Sequence, residues 1–362
     1  MKGRRHFLAG LIAAGLLPRP TWADAGSPAF LSAAAKPDGR YVLCGISDDL
    51  QVLFQIPLPG RGHAAAAHPT KPEAVAFARR PGTFAVVIDC ASRRQSARLD
   101  APPGRHFYGH GTYSSDGSLL FTTENDYEAG QGRIGVWDVL RDYKRTDEWS
   151  SGGIGPHDIR RLPHSDLLVV ANGGIDTHPD SGRTKLNIPT MRPNLAYVEN
   201  GGLTEVAELP PDQHRNSIRH LAVSTAGDVA FGMQWQGAGT PVSLVGTHRQ
   251  GARLLLTSAP EDKLRELNGY VGSIAYSEDG RTIAVTSPRG GRAHLYRTHD
   301  MQLSQSVSYD EVSGVAQTSN GLLLTSGEGS MALLQKRQFR KRAPAGLMWD
   351  NHLVALDDRV AG

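Results

Sequence analysis

The sequence predicts an all-β fold, namely a seven-bladed β-propeller whose ring is closed by strands from the N- and C-terminal ends of the chain. The composition favours turns and short strands, because 41 glycines and 22 prolines accompany 39% hydrophobic residues in a chain of 362. A histidine recurs at a fixed interval, since His63 and His110 are 47 positions apart and His110 and His157 are also 47 positions apart. A period of about 40–50 residues that contains short strands is typical of propeller blades.

A second repeated feature is a tight turn placed directly before an apolar run. Such turns occur at residues 36–39, 115–117, 225–228, 277–280 and 318–321. Most of them contain Asp-Gly or Asn-Gly, which suit a tight hairpin because they tolerate positive φ. Turns and histidines together predict seven units of four strands, which start near residues 31, 63, 110, 157, 220, 271 and 312.

Closure of the ring is predicted from the two ends of the propeller sequence. The first unit lacks an innermost strand of its own, and the C-terminal run Met348 to Leu356 is expected to supply it. Closure of this kind removes the open edge that would otherwise invite aggregation. A pair of β-sandwiches also has strands every 8–12 residues and is the alternative. A histidine that returns once per unit favours the propeller.

Residues 1–25 have the pattern of a twin-arginine-type signal peptide. Arg4-Arg5 precede an apolar stretch from Phe7 to Leu17, and small residues around Ala23 to Ala25 offer a cleavage site. The apolar stretch is too short to span a bilayer, which needs about 20 residues. We therefore expect export by the twin-arginine pathway, a periplasmic protein without stable membrane insertion after cleavage, and a single propeller domain over residues 26–362.

Charge and cysteine content narrow the classes of partner. Residues 1–25 hold four of the 39 basic and one of the 36 acidic residues, so 35 of each remain in the mature chain. This balance argues against a nucleic-acid partner, which requires an excess of Lys and Arg. Cys44 and Cys90 are expected to be buried thiols rather than a disulfide framework, although one bridge stays open as an alternative. We expect a monomer.

Four histidines are the main candidates for chemistry. His63, His110, His157 and His220 stand at or just before the first strands of four consecutive units, and first strands line the central channel. Imidazoles that converge on one axis suit iron, copper or zinc. The alternative for each is a hydrogen bond to the backbone of a neighbouring blade. The units near 271 and 312 carry Gly272-Ser273 and Ser313-Gly314 instead, so the cluster is expected to be lopsided.

Polar loops on the same face supply further candidates. These candidate site residues are Glu124, Asn125, Asp126, His178, His106, Arg183 and Trp235. Binding residues concentrate on such loops, although Asp, Asn and Gly are also ordinary turn residues. Motifs of serine hydrolases, phosphate-binding loops, His-Glu-x-x-His metalloproteases and Cys-x-x-Cys redox proteins do not occur in the sequence. No catalytic residue can therefore be assigned.

Four longer motifs resemble a known family. They are Thr123 to Tyr127, Gly153 to Asp158, Asn172 to Ile175 and Gly182 to Asn187. The chain is similar to a twin-arginine-exported periplasmic propeller family of unknown function, whose members are often encoded beside imelysin-type periplasmic proteins of bacterial iron uptake. The resemblance implies a seven-bladed propeller connected with iron acquisition, with other periplasmic uptake proteins as partners. It supports a metal site and implies no catalytic residue.

The leading functional hypothesis is a periplasmic metal-binding or metal-handling protein, an accessory of iron uptake with a transition metal (iron, copper or zinc) at the channel mouth. One alternative is a metal-assisted hydrolase or lactonase, which rests on fold analogy alone. The other is a protein-interaction platform for periplasmic uptake components, which would tolerate loss of the histidines.

Overall fold

The computed structural model of the chain describes residues 19–79, 83–182, 184–239, 243–335, 338–343 and 346–356. In this part of the chain, 28 strands form seven antiparallel four-stranded sheets. The innermost strand of each sheet contacts the innermost strands of the two neighbouring sheets, so that the sheets close into a ring. The predicted seven-bladed β-propeller is confirmed. The predicted signal segment, of which residues 1–18 lie outside the described residues, stays a prediction.

The blades are described in chain order, each from the channel outwards. The first consists of β28 (Met348–Ala355), β1 (Phe30–Ala35), β2 (Tyr41–Ile46) and β3 (Val52–Leu58). The second consists of β4 (Gly62–Ala67), β5 (Glu73–Ala78), β6 (Phe84–Asp89) and β7 (Arg94–Asp100). The third consists of β8 (Arg105–Tyr113), β9 (Leu119–Asp126), β10 (Gln131–Asp138) and β11 (Lys144–Ser150).

The remaining blades repeat this arrangement. The fourth consists of β12 (Pro156–Arg161), β13 (Leu168–Asn172), β14 (Asn194–Glu199) and β15 (Gly202–Glu208). The fifth consists of β16 (Asn216–Val223), β17 (Val229–Trp235), β18 (Val245–His248) and β19 (Leu255–Leu256). The sixth consists of β20 (Ser273–Tyr276), β21 (Thr282–Ser287), β22 (Arg292–Arg297) and β23 (Leu303–Ser308), and the seventh of β24 (Val312–Thr318), β25 (Gly321–Ser326), β26 (Met331–Gln335) and β27 (Gln338–Arg342).

Helical structure in the described residues is confined to short segments. The single α-helix among them is Glu261–Glu266, and the 3₁₀ turns are Trp22–Ala25, Val139–Arg141, Pro179–Ser181, Ile188–Thr190 and Pro211–Gln213. Across the described ranges, no helix is both long enough and apolar enough to cross a bilayer.

The two ends of the described chain meet in the first blade, as predicted. Strand β28 pairs antiparallel with β1, so that Met348 faces Ala35 and Ala355 faces Phe30. The C-terminal strand thereby supplies the inner position that the first unit lacks. Every inner strand has a neighbour on each side, and the sheet edges that remain lie on the outside of the ring.

The predicted hairpins are present, and the third blade shows how their sequences form them. In the turn between β8 and β9, the Asp116 carboxylate accepts hydrogen bonds from the Ser118 backbone N–H (2.9 Å) and from the Ser114 hydroxyl (2.7 Å). Gly117 follows with φ +73°, a conformation that favours glycine. The turn before β21 repeats this arrangement with Asp279 and Gly280. These side chains fix the hairpin register and with it the positions of the inner strands.

The apolar core lies between successive blades. Phe77 of the second blade packs against Phe107 of the third, with ring centroids 6.2 Å apart, and Trp137 lies behind them. Phe77 and Phe107 are completely buried, and each such side chain contributes about 1.5–3 kcal/mol by leaving water. Cys44 and Cys90 belong to two such interfaces as free thiols, and burial raises the pKa of each to about 12.

Candidate metal centre

Five histidines meet inside the central channel, one from the inner strand of each of the first five blades. They are His352 on β28, His63 on β4, His110 on β8, His157 on β12 and His220 on β16. The ring centroids of the pairs in contact lie 4.5 to 6.3 Å apart. The inner strands of the sixth and seventh blades carry no histidine, so the cluster occupies one side of the channel, as the sequence indicates.

Irregular pairing turns these side chains towards the channel. Each of the five inner strands departs from regular register at or beside its histidine, within residues 62–65, 107–111, 156–158, 218–220 and 349–353. A bulge of this kind re-aims a side chain while the strand stays in its sheet. Gly109 assists, because it has φ +99° and a Cβ at this position would lie 2.6 Å from Cδ2 of His63.

The histidine nitrogens are buried and largely unused by the protein. Four of the residues are almost inaccessible, with exposed fractions of 9% for His63, 2% for His110, 3% for His220 and 6% for His352, while His157 is partly exposed. In the described part of the chain, Nδ1 of His63, Nε2 of His110, both nitrogens of His220 and Nε2 of His352 have no hydrogen-bond partner. Buried polar atoms without partners are rare in folded proteins, and a bound ion or ordered water would satisfy these nitrogens.

Two of the rings are oriented by hydrogen bonds on their Nδ1 side. His110 donates from Nδ1 to Oδ1 of Asp158 at 3.1 Å, and His157 donates from Nδ1 to the Arg219 carbonyl at 3.0 Å. Each bond leaves Nε2 with its lone pair directed away from the protein partner. A carboxylate or carbonyl behind a histidine is the usual second contact of a metal-binding imidazole, because it fixes the tautomer and raises basicity.

Asp158 is itself held in place on both sides. It is 2% exposed, and its Oδ2 accepts a hydrogen bond from the Leu221 backbone N–H at 3.0 Å. Burial alone would raise the pKa of this carboxyl, but the positive charge of Arg160 and the hydrogen bond from His110 hold it well below its usual range. The carboxylate is therefore ionised and available to orient His110.

The geometry allows two sets of three ligand atoms. The nitrogens of His63, His110 and His352 lie within 4.8 Å of one another, and so do those of His110, His157 and His220. Nitrogens bound to one ion at about 2.0–2.1 Å are roughly 3.4 Å apart in a tetrahedral site, so the nitrogens of either set would have to approach one another by up to about 1.4 Å to share an ion. His110 is shared by both sets and is the centre of the arrangement.

The environment keeps most of these rings in the neutral form. Burial, followed by the neighbouring His110, lowers the pKa of His63 and of His157 well below the usual value, and burial does the same for His352. The pKa of His220 falls to about 3 for the same reasons. A neutral imidazole is the form that binds a metal ion, so near neutral pH these rings need not lose a proton first.

Two of the predicted carboxylates lie in an ion-pair network of the third blade. Glu124 is fully buried, and its Oε2 contacts Nη2 of Arg145 at 2.7 Å. Arg145 lies on the outer strand β11, and the Glu124 side chain reaches it by passing over Gly135 of the intervening strand β10. Asp126 contacts Arg105 at 2.8 Å and Arg133 at 3.2 Å. The structure thus surrounds both carboxylates with arginines of their own blade, and neither belongs to a histidine triad.

The other candidate residues lie in the third, fourth and fifth blades, and His106, Asn125 and Trp235 stand in strands instead of the predicted loops. The Asn125 amide donates to the Thr177 carbonyl at 3.0 Å. His106 stacks on Tyr127 with a centroid distance of 5.8 Å, and His178 meets the same ring edge-on at 5.2 Å. Trp235 donates from Nε1 to the Ala238 carbonyl at 3.3 Å. Arg183 lies outside the described residues.

The structure also contains a polar cavity. It measures about 300 Å³, and its walls come from the first, second, sixth and seventh blades. Gly62 and Asn351, which line it, directly precede His63 and His352 in the chain. Asp350 in its wall contacts Arg61 at 2.8 Å and Arg79 at 3.2 Å. None of the five channel histidines is among the residues that line this cavity.

The sequence predicted four of the five histidines and missed His352. None of the four candidates came from the first blade, and the structure adds His352 there because the inner strand of this blade is the C-terminal β28. The sequence did contain the information needed to find His352, because the run Met348 to Leu356 was expected to form an inner strand and inner strands line the channel. His352 is the fifth residue of β28, as His220 is the fifth residue of β16.

Comparisons with known proteins place the chain in a family without assigning it a reaction. Among solved structures, hydrazine synthase of Kuenenia stuttgartiensis is similar in fold, with a TM-score of 0.58 over 88% of this chain and 96% of that chain. At 13% sequence identity this likeness shows the fold alone. No curated protein matches the sequence. The family model described as "Protein of unknown function (DUF1513)" matches residues 56–356, and the chain belongs to this family.

Proposed function

We propose that this protein is a metal-binding or metal-handling propeller that holds a transition-metal ion on its channel histidines. The observation that carries the proposal is the group of buried imidazole nitrogens without protein partners. An unsatisfied buried polar group costs about 1–3 kcal/mol, so several at one place are a large penalty unless a ligand takes them. A metal ion on one triad takes one nitrogen from each of three imidazoles and so satisfies up to three of these atoms at once.

The donor set indicates which ions bind best. Imidazole suits iron, copper and zinc, and both triads contain only imidazole. Affinities of divalent ions at such a site follow the general order in which copper exceeds zinc and zinc exceeds iron. We therefore expect Cu²⁺ to bind most tightly in vitro, whereas the ion carried in the cell depends on which one is supplied.

The cellular role that we propose is that of a periplasmic accessory of iron uptake. Support comes from the Arg4-Arg5 signal pattern and from the resemblance to propellers encoded beside imelysin-type proteins. The partners would be other periplasmic uptake proteins. Export of an already folded chain would allow the ion to be bound before or after crossing the inner membrane.

The proposal is tested by metal titration of the mature chain, residues 26–362. Protein stripped with a chelator is titrated with Cu²⁺, Zn²⁺ and, without oxygen, Fe²⁺, and we expect saturable binding that His110→Ala abolishes. His248→Ala is the matched control, because His248 of the fifth blade is similarly buried but is hydrogen-bonded to Tyr197 of the fourth blade at 2.7 Å.

Two results would overturn the proposal. One is the absence of binding by any of the three ions, and the other is a His110→Ala protein that binds as the unaltered chain does. Hydrolysis of esters or lactones by the metal-loaded protein, lost with His110→Ala, would make the centre catalytic instead of a carrier site.

A further inference from the structure

The five channel histidines divide into two sets that overlap in one residue. The nitrogens of His63, His110 and His352 lie within 4.8 Å of one another, and those of His110, His157 and His220 do as well. Within the described residues, no fourth histidine joins either set at this distance. The sets follow the ring, because one pair comes from the two blades before that of His110 and the other pair from the two blades after it. The histidines thus offer two positions for an ion, one on each side of His110.

His110 contributes the same atom to both positions. Its Nδ1 lies 3.1 Å from Oδ1 of Asp158, to which it donates its proton. Its Nε2 is buried and has no hydrogen-bond partner in the part of the chain that the structure describes. A neutral imidazole with a proton on one nitrogen has a lone pair for a metal on the other nitrogen only. Both positions therefore depend on Nε2 of His110.

Two ions cannot use this nitrogen together. They would lie no more than about 4 Å apart, twice the usual metal–nitrogen distance of 2.0–2.1 Å, and would compete for one lone pair. At a given distance, divalent ions repel each other roughly four times as strongly as unit charges do. Each set must also contract by up to about 1.4 Å to share an ion, and His110 cannot move towards both pairs at once. Occupation of one position excludes occupation of the other.

The two positions are close neighbours. The ring centroids of His63 and His157, which belong to different sets, are 5.6 Å apart. Those of His220 and His352, which also belong to different sets, are 5.0 Å apart. An ion held by one set therefore has histidines of the other set beside its ligands. The ligands can be replaced one at a time while His110 stays bound.

We propose that the channel holds a single metal ion that alternates between two three-histidine positions, with Nε2 of His110 as the ligand common to both. This inference rests on the proposed metal-binding function. While the ion occupies one set, the two other histidines remain free to replace its ligands. Such an arrangement suits a protein that takes up an ion and passes it on, because the ion changes ligands stepwise without being released into water.

The test compares Zn²⁺ binding by the unaltered chain, His352→Ala and His157→Ala, measured by competition with a coloured chelator. Each substitution removes one position and leaves the other complete. We expect one ion per chain in all three proteins, and an affinity of each single variant within about tenfold of the unaltered chain. The double variant His157→Ala, His352→Ala has no complete position and should bind at least roughly 100-fold more weakly than either single variant.

His248→Ala is again the matched control for loss of a buried histidine, and thermal unfolding shows whether each variant is folded. Where a variant does not fold, electron paramagnetic resonance of Cu²⁺ on the unaltered chain replaces it. Two superimposed signals are expected, and a single signal would overturn the alternation.

Other outcomes would also overturn it. Two ions per chain would show two independent sites. A loss of roughly 100-fold in either single variant, with a double variant that loses the product of the two single effects, would show that both histidines bind one ion together. These results leave the proposed metal-binding function intact, whereas no binding of Zn²⁺, Cu²⁺ or Fe²⁺ by the unaltered chain would overturn that function itself.

Discussion

Asp158 offers the sharpest test of the metal centre, because it touches a proposed ligand without being one. Its Oδ1 accepts the Nδ1 proton of His110 at 3.1 Å, and His110 belongs to both triads. In Asp158→Asn the acceptor loses its charge, and charge-assisted hydrogen bonds are roughly twice as strong as neutral ones. Loss of such a second contact usually weakens metal binding 10–100-fold, which corresponds to about 1.4–2.7 kcal/mol.

The same substitution should also reduce stability. Oδ1 also faces the Ile159 backbone N–H at 2.9 Å, so the new amide group would point at the Leu221 N–H, which lies 3.0 Å from Oδ2. A buried donor left against another donor costs about 1–3 kcal/mol. The free energy of unfolding must therefore be measured beside the affinity, and the affinity taken under conditions where each variant is folded.

The assay is a competition titration of Zn²⁺ between the protein and a coloured chelator. Asp126→Asn is the matched control, since Asp126 is a similarly buried carboxylate that pairs with Arg105 and Arg133. We expect Asp126→Asn to lose stability and to keep its Zn²⁺ affinity. The reasoning is refuted if Asp158→Asn binds within threefold of the unaltered chain, or if both variants lose affinity equally.

Three further outcomes are expected. Gly109→Ala should destabilise the fold by about 1 kcal/mol or more and weaken Zn²⁺ binding, because its Cβ would meet the His63 ring and its φ is positive; equal affinity by titration would contradict this. Burial would raise the pKa of Glu266, but hydrogen bonds, that from Lys263 foremost, lower it to about 2. Since this folded-state pKa lies below the unfolded value of about 4.5, its contribution, on the order of 2 kcal/mol, is present above pH 4.5 and lost as the pH falls towards 2. Denaturation of Glu266→Gln should therefore differ from the unaltered chain at pH 7 and converge with it near pH 2–3, and a constant difference would be inconsistent with the lowered pKa. Removal of Met348–Ala355 should abolish cooperative unfolding, whereas a calorimetric transition like that of the full chain would show that ring closure is dispensable.

The fold was predictable because its determinants are local and repeated. Each hairpin is specified by a few residues, such as Asp116 and Gly117, and a sheet of four strands recurs in every blade. The channel histidines were predictable for the same reason, since a residue at a fixed place in a repeat lies at a fixed place in the ring. His352 was not predicted because its blade is formed by both ends of the chain. It therefore does not follow the preceding histidine at the interval of one blade.

The polar neighbours were harder to predict because side-chain direction depends on contacts distant in sequence. Glu124 and Asp126 lie on strand β9, where the carboxylates could have served the channel. The available space above Gly135 and the position of Arg145 determine that Glu124 is directed outwards. Asp158, by contrast, was named only as the last residue of the motif Gly153 to Asp158, and its contact with His110 depends on the packing of two blades.

The position of His352 gives the proposed ion a mechanical role. His63 and His352 are 289 residues apart in the sequence, yet they belong to one triad with His110. An ion bound there would link the C-terminal strand to the second and third blades, beside the blade in which the two ends of the chain pair. With free metal at 100 times the dissociation constant, this linkage adds about 2.7 kcal/mol against unfolding. The rate at which proteases degrade the chain would then fall as the concentration of free metal rises.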